Sequence, residues 1–149
     1  MKMNSFKQFF QEKTLLGLIE FFDLGPGLDN IPAKLDSGNG AYNVLHGVDI
    51  QYQGDKVFFR TVNNKTLVKP LIEKIEINVG EEKFTERPVV KFDVVVGGQL
   101  YKDTLFSISN RTSNIYKILV GKDFIEKKLD AIIDVSQENI ADKNIDVKV

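Results

Sequence analysis

An all-β domain, closed or sandwiched, is what this sequence predicts, and three observations carry the prediction. Short runs rich in β-branched and aromatic residues recur along the chain. Clusters of Gly, Asn, Asp and Pro separate them. Only two segments, one near each end, show helical spacing of apolar residues.

In chain order, SFKQFFQEKTLL (residues 5–16) sets Phe6, Phe9, Phe10, Lys13 and Leu16 at helical spacing behind Ser5, a good N-cap. That predicts a short amphipathic helix docked on the body or on a partner. GLIEFFDLG then reads as a strand and GPGLDN as a turn. IPAKL is a strand running into Asp-Ser-Gly, and AYNVLHGVDIQY continues as a strand. QGDK is a hairpin turn into VFFRTV, and NNKT is a further turn. KIEINV and FTERPVVKFDVVV flank GEE as a second hairpin, and Gly97-Gly98 turns the chain into QLYKDTLFSIS. Near the end, GKDFIEKKLDAII groups Phe124, Ile125, Leu129 and Ile132 near one helical face. The chain divides into a leader (1–15), a β domain (16–140) and a tail or edge strand (141–149).

Composition narrows the chemistry. A chain of 149 residues suffices for one domain with a core. The net charge of −1, with both signs interspersed, offers no basic face for nucleic acid. Apolar runs such as Val94–Val96 are far too short to span a bilayer. The N-terminal MKMNSFKQFFQEK lacks the apolar core and cleavage site of a secretory signal. Without cysteine there is no disulfide, thiol nucleophile or cysteine-based zinc site. His46 is the sole histidine, with neither a G-x-S-x-G elbow nor H-E-x-x-H. Carboxylate chemistry is what remains for hydrolysis. No cofactor motif is present, neither a Walker loop nor G-x-G-x-x-G.

Asp36-Ser37-Gly38 ends an apolar stretch, either as a polar turn or as a catalytic carboxylate at a strand end. Some eighty residues on lies Ile118-Leu119-Val120-Gly121, followed by a helical pattern. This pairing resembles the small aspartic proteases of the retropepsin kind. AKLDSGNGAYNVLH, ERPVVKFDVVVGG, ISNRTSNIYKILVGKDFI and DVSQENI, in that order, resemble more closely the retropepsin-like family long labelled "ATP-dependent zinc proteases". Bacterial members of that family sit beside ligases that add glutamates. The resemblance covers about residues 16–139.

The resemblance implies an aspartic endopeptidase of retropepsin-like fold, a closed barrel or sandwich with a short helix at each end. Catalysis would rest on Asp36, Ser37 and Gly38, two carboxylates sharing one proton. The single Asp-Ser-Gly requires a homodimer with Asp36 from each copy. Ile118, Leu119, Val120 and Gly121 would lie under the active loop. Asn39, Gly80, Arg87 and Arg111 would contact the substrate, a peptide or protein rich in glutamate, with Gly80 at the tip of a flap, EINVGEEKFTER. TVNNKT is the alternative flap. No metal and no cofactor would be needed. The setting implied is the cytoplasm of a bacterial or phage-infected cell, without nucleic-acid or membrane partners.

Two positions depart from the family pattern. Asn39 stands where the family has Ala, and Lys122 where it has Arg. They favour a rival reading: a non-catalytic structural or interaction module of the same fold. A leader like MNSFKQFFQEK loosely resembles those of tailed-phage proteins, which sets such a module in a phage particle as a component or maturation protein, associated with the virion.

Overall fold

Alternation of apolar and polar side chains makes the strands. IPAKL shows it most simply, with Ile31, Ala33 and Leu35 buried and Pro32 and Lys34 exposed. A computed structural model describes residues 13–141 and contains eleven strands, one short helix and a single 3₁₀ turn, Val62–Asn64. In chain order these are β1 (Thr14–Phe22), β2 (Ile31–Leu35), β3 (Asn43–His46), β4 (Val48–Gln53), β5 (Lys56–Thr61), β6 (Lys65–Pro70), β7 (Glu73–Gly80) and β8 (Lys83–Val96). β9 (Gln99–Ser109), β10 (Ile118–Val120), α1 (Phe124–Leu129) and β11 (Ala131–Glu138) complete the chain. The protein is thus mainly β with one short helix near its C-terminus.

Eight strands form a sheet in the order β11-β1-β2-β10-β3-β9-β8-β7, and β4-β5-β6 form a second. The ladder of the large sheet runs from β11 to β7 and does not close on itself among the described residues. The two sheets share one core. Val57 and Phe59 of β5 join Phe92, Phe106 and Ile108 of the large sheet in it. Lys69 of β6 lies 4.1 Å over the Phe92 ring, and Lys74 of β7 lies 4.0 Å over Tyr52 of β4.

The expected strand AYNVLHGVDIQY is two strands, one in each sheet, with Gly47 as the corner. A Cβ there would stand 2.2 Å from Ile108 Cγ2, so only glycine lets the chain cross this close to β9. The QGDK, GEE and Gly97-Gly98 turns fall where expected, between β4 and β5, β7 and β8, and β8 and β9. β6, absent from the sequence reading, completes the small sheet.

Both expected helices need comment. Most of the N-terminal one lies outside the described residues; its last part, Thr14–Leu16, is strand, paired in parallel with Ala131–Ile133. The C-terminal one is shorter than its apolar spacing suggested. α1 is wound with i→i+5 hydrogen bonds and stops at Asp130, whose φ of 48° is left-handed. Ile132 then belongs to β11 and is 41% exposed, because the β-branched run Ile132-Ile133 and Val135 suits a strand. The tail from residue 142 onward lies outside the described residues. Among the described residues no helix is long and apolar enough to cross a membrane.

Candidate functional site

The Asp36 loop is built by two neighbouring strands. β10 runs parallel to β2, with Ile118 beside Ala33, Leu119 beside Lys34 and Val120 beside Leu35. The Asp36 N–H donates to the Val120 carbonyl at 2.9 Å, so the loop begins where that ladder ends. The Asp36 carboxylate then accepts the Gly38 N–H at 3.0 Å, and the Asn39 N–H donates to the Asp36 carbonyl at 3.0 Å. This is an Asx turn, the arrangement in which an aspartate side chain organises its own backbone. Ser37 and Gly38 are exposed on it.

Asn39 faces inward to the same loop. Its Oδ1 accepts the Ala41 N–H at 3.0 Å, its Nδ2 donates to the Tyr42 carbonyl at 3.3 Å, and its own carbonyl accepts the Lys122 N–H at 2.8 Å. Gly121 fits beneath: a Cβ would meet the Ala41 carbonyl oxygen at 2.7 Å. Its N–H donates to Oδ1 of the buried Asn43 at 2.7 Å. Asn43 was not picked out from the sequence. A buried asparagine that opens a strand was its only signal.

Beside this loop lies an open groove of about 810 Å³, within the range of ligand sites. Its apolar lining comes from Ala41, Tyr42, Ile75, Leu105 and Phe124, and its charged lining from Lys102, Asp103, Asp123, Lys127 and Lys128. Gly40–Asn43 contribute to it; Asp36, Ser37 and Gly38 do not. The base of the β7–β8 hairpin is tied to the loop by the Tyr42 hydroxyl, which donates to Glu73 Oε1 at 2.8 Å. That carboxylate pushes the Tyr42 pKa up, with burial adding to it.

Gly80 sits at the hairpin tip with φ 120°, followed by Glu81 and Glu82 at 44° and 63°, the left-handed pair of a tight two-residue turn. Val79 and Phe84 flank the tip, 58% and 60% exposed. The TVNNKT turn is engaged elsewhere, where Asn63 Nδ2 donates to the Gly27 carbonyl at 3.0 Å.

Arg87 and Arg111 lie apart from the groove lining. The Arg111 N–H donates to His46 Nδ1 at 2.9 Å, which makes His46 an acceptor in a structural role. Burial lowers the His46 pKa, helped by the charges of Lys117, Arg60 and Arg111.

No family model matches the chain, and no curated protein does. Among solved structures the chain is similar to the crystal structure of a protein of unknown function, Lpg0085 (DUF785), from Legionella pneumophila subsp. pneumophila. The TM-score is 0.69 with 21% identity, over 86% of this chain and 98% of the other. That likeness establishes the shared fold. It also corrects the expectations drawn from the retropepsin-like resemblance, because the matched structure is described as of unknown function and not as a protease. Among the described residues no group of three His, Asp or Glu is placed to hold a metal. Membership of that protease family, aspartic endopeptidase activity and classification as a hydrolase are accordingly set aside.

Proposed function

We propose that this chain is a non-catalytic interaction module that holds an extended segment of a protein partner. The observation that carries the reading is the groove beside the β7–β8 hairpin. It has an apolar lining from Ile75, Leu105 and Phe124, with Lys102, Lys127 and Lys128 among its charged residues. A hairpin with Val79 and Phe84 exposed near its tip extends the apolar surface beyond the groove. The Asp36 loop, on this reading, shapes one wall: its hydrogen bonds hold residues 40–43 in place. Assembly of a phage particle is a setting that suits such a module.

The test is a peptide selected for binding from a displayed library, its affinity measured by calorimetry. Ile75→Asp, a charge placed on an edge strand, is expected to weaken binding about tenfold or more. Mass spectrometry after prolonged incubation should find the peptide intact. A cleaved peptide, or undiminished affinity in Ile75→Asp, would overturn the reading.

A further inference from the structure

Strand register brings two arginines to one end of the large sheet. β8 and β9 pair with Val89 opposite Ser107; Arg87 stands two residues before Val89 on β8, and Ser109, two residues after Ser107, ends β9. β3 reaches the same level from the other side, with His46 opposite Ser109. Arg111 follows two residues beyond.

Its position is fixed by its surroundings. Besides the bond from its N–H to His46, Nε donates to the Tyr116 carbonyl at 2.9 Å. Lys117 Nζ binds the Arg111, Thr112 and Asn114 carbonyls at 2.8, 3.0 and 2.7 Å, which closes the loop around itself. With Nε committed, the terminal nitrogens of Arg111 form no hydrogen bond among the described residues.

Arg87 is less satisfied still. Its Nε is buried without a hydrogen-bond partner. The ion pairs of the described residues join Lys13 to Asp130, Arg60 to Asp49, Lys74 to Glu86 and Lys127 to Asp123, and neither Arg87 nor Arg111 takes part. Burial lowers the pKa of both, and the charge of Arg87 lowers that of Arg111 further. Half-buried like charges without a counter-charge are costly in isolation. Guanidinium donors are arranged as planar forks that match the oxygens of a carboxylate or phosphate.

We propose that Arg87 and Arg111 together form a binding site for a single oxyanion, a carboxylate or a phosphate group. The charge of the ligand offsets the repulsion between the two arginines, and its oxygens supply acceptors for the buried Nε and the terminal nitrogens. Positioning rests on His46, Tyr116 and Lys117, which hold Arg111, and on β8, which holds Arg87. The site is independent of the peptide groove, so the outcome of the peptide experiment leaves it standing or falling on its own measurement.

That measurement is a titration of the full chain with inorganic phosphate in one arm and glutarate in the other. Each is compared with sodium chloride at equal ionic strength, to subtract screening. In at least one arm the melting temperature should rise by several degrees, and the arm that responds identifies the oxyanion. The rise should vanish in Arg87→Met and in Arg111→Met and persist in part in Arg87→Lys, which keeps charge but loses the fork. Without added anion, Arg87→Met should melt no lower than the unaltered protein, because a buried unpartnered donor and a like charge are gone. In 15N-arginine-labelled unaltered protein the Arg87 Nε–H signal should move during the titration, a readout that needs no variant to fold. No rise over sodium chloride in either arm, a rise of the same size in Arg87→Met, or an Arg87 signal that stays put would each overturn the proposal.

Discussion

The Asp36 carboxylate accepts the Gly38 N–H while the Asp36 N–H is held by Val120, so its strongest demonstrable role is to shape a loop. An asparagine oxygen accepts such a bond nearly as well. Asp36→Asn is expected to change stability by no more than about 0.5 kcal/mol, whereas Asp36→Ala, which removes the acceptor, should cost about 1 kcal/mol. Urea denaturation of the two variants measures the difference. His46 makes a pH-dependent contribution instead. Its pKa in the folded protein is lowered by burial first and by Lys117, Arg60 and Arg111 next. The unfolded chain therefore binds a proton more readily, and stability from this residue is full above about pH 6.5 and lost as pH falls toward the folded value. His46→Asn keeps an acceptor for the Arg111 N–H and has no such titration. The decline in melting temperature as pH falls below about 6.5 should be shallower in that variant; an unchanged profile would remove His46 from the account.

At the scale of elements, the hinge between the sheets depends on Gly47. An alanine Cβ would overlap Ile108 Cγ2 at 2.2 Å and crowd the Phe59 ring at 3.2 Å, and both neighbours are buried. Gly47→Ala should cost roughly 3 kcal/mol. Adding Ile108→Ala removes the obstructing methyl, so the double variant should lose less than the sum of the two single changes. This corner also marks where the sequence ceased to be legible. The strands could be read because apolar residues alternate in IPAKL and because left-handed glycines at 54, 80, 97 and 98 punctuate them. AYNVLHGVDIQY gave no sign that its two halves join different sheets, since a glycine in a strand pattern states neither what approaches it nor from which side. The C-terminal helix was read too long because Phe124, Ile125, Leu129 and Ile132 satisfy a helical period that the left-handed Asp130 interrupts. At the candidate site the turn character of Asp-Ser-Gly was legible locally. Arg87 and Arg111 were named together only through the family resemblance, since no local pattern links a residue of β8 to one in the loop after β9.

Across the whole molecule, the two ends of the described chain are fastened to each other. β1 lies between β2 and β11, so the first strand is gripped by a neighbour close in sequence and by the last strand. At the centre of this arrangement is Glu20, 1% exposed, an unusual residue to find inside. Its carboxylate accepts the Gly17 N–H at 2.7 Å, the Ile140 N–H at 3.3 Å and the Ala141 N–H at 3.0 Å. The first bond holds β1 where its pairing with β11 shifts register; the other two draw the chain after β11 back over the sheet. Gly17 belongs to the same joint, since a Cβ there would meet the Gln137 carbonyl oxygen at 2.4 Å. Glu20→Ala would leave three backbone donors without their acceptor, each costing about 1–3 kcal/mol if no water reaches it. A loss of roughly 3 kcal/mol or more is expected, with Glu20→Gln retaining part of it through its amide oxygen. Because the core is continuous from β1 through both sheets to Leu129 and Ala141, the loss should appear as an earlier single transition rather than as a separate melting of the C-terminal strand. Urea curves followed by circular dichroism, with amide exchange at Ile140 and Ala141, measure both effects. A Glu20→Ala protein as stable as the unaltered one would show that β11 is held by its ladder to β1 alone.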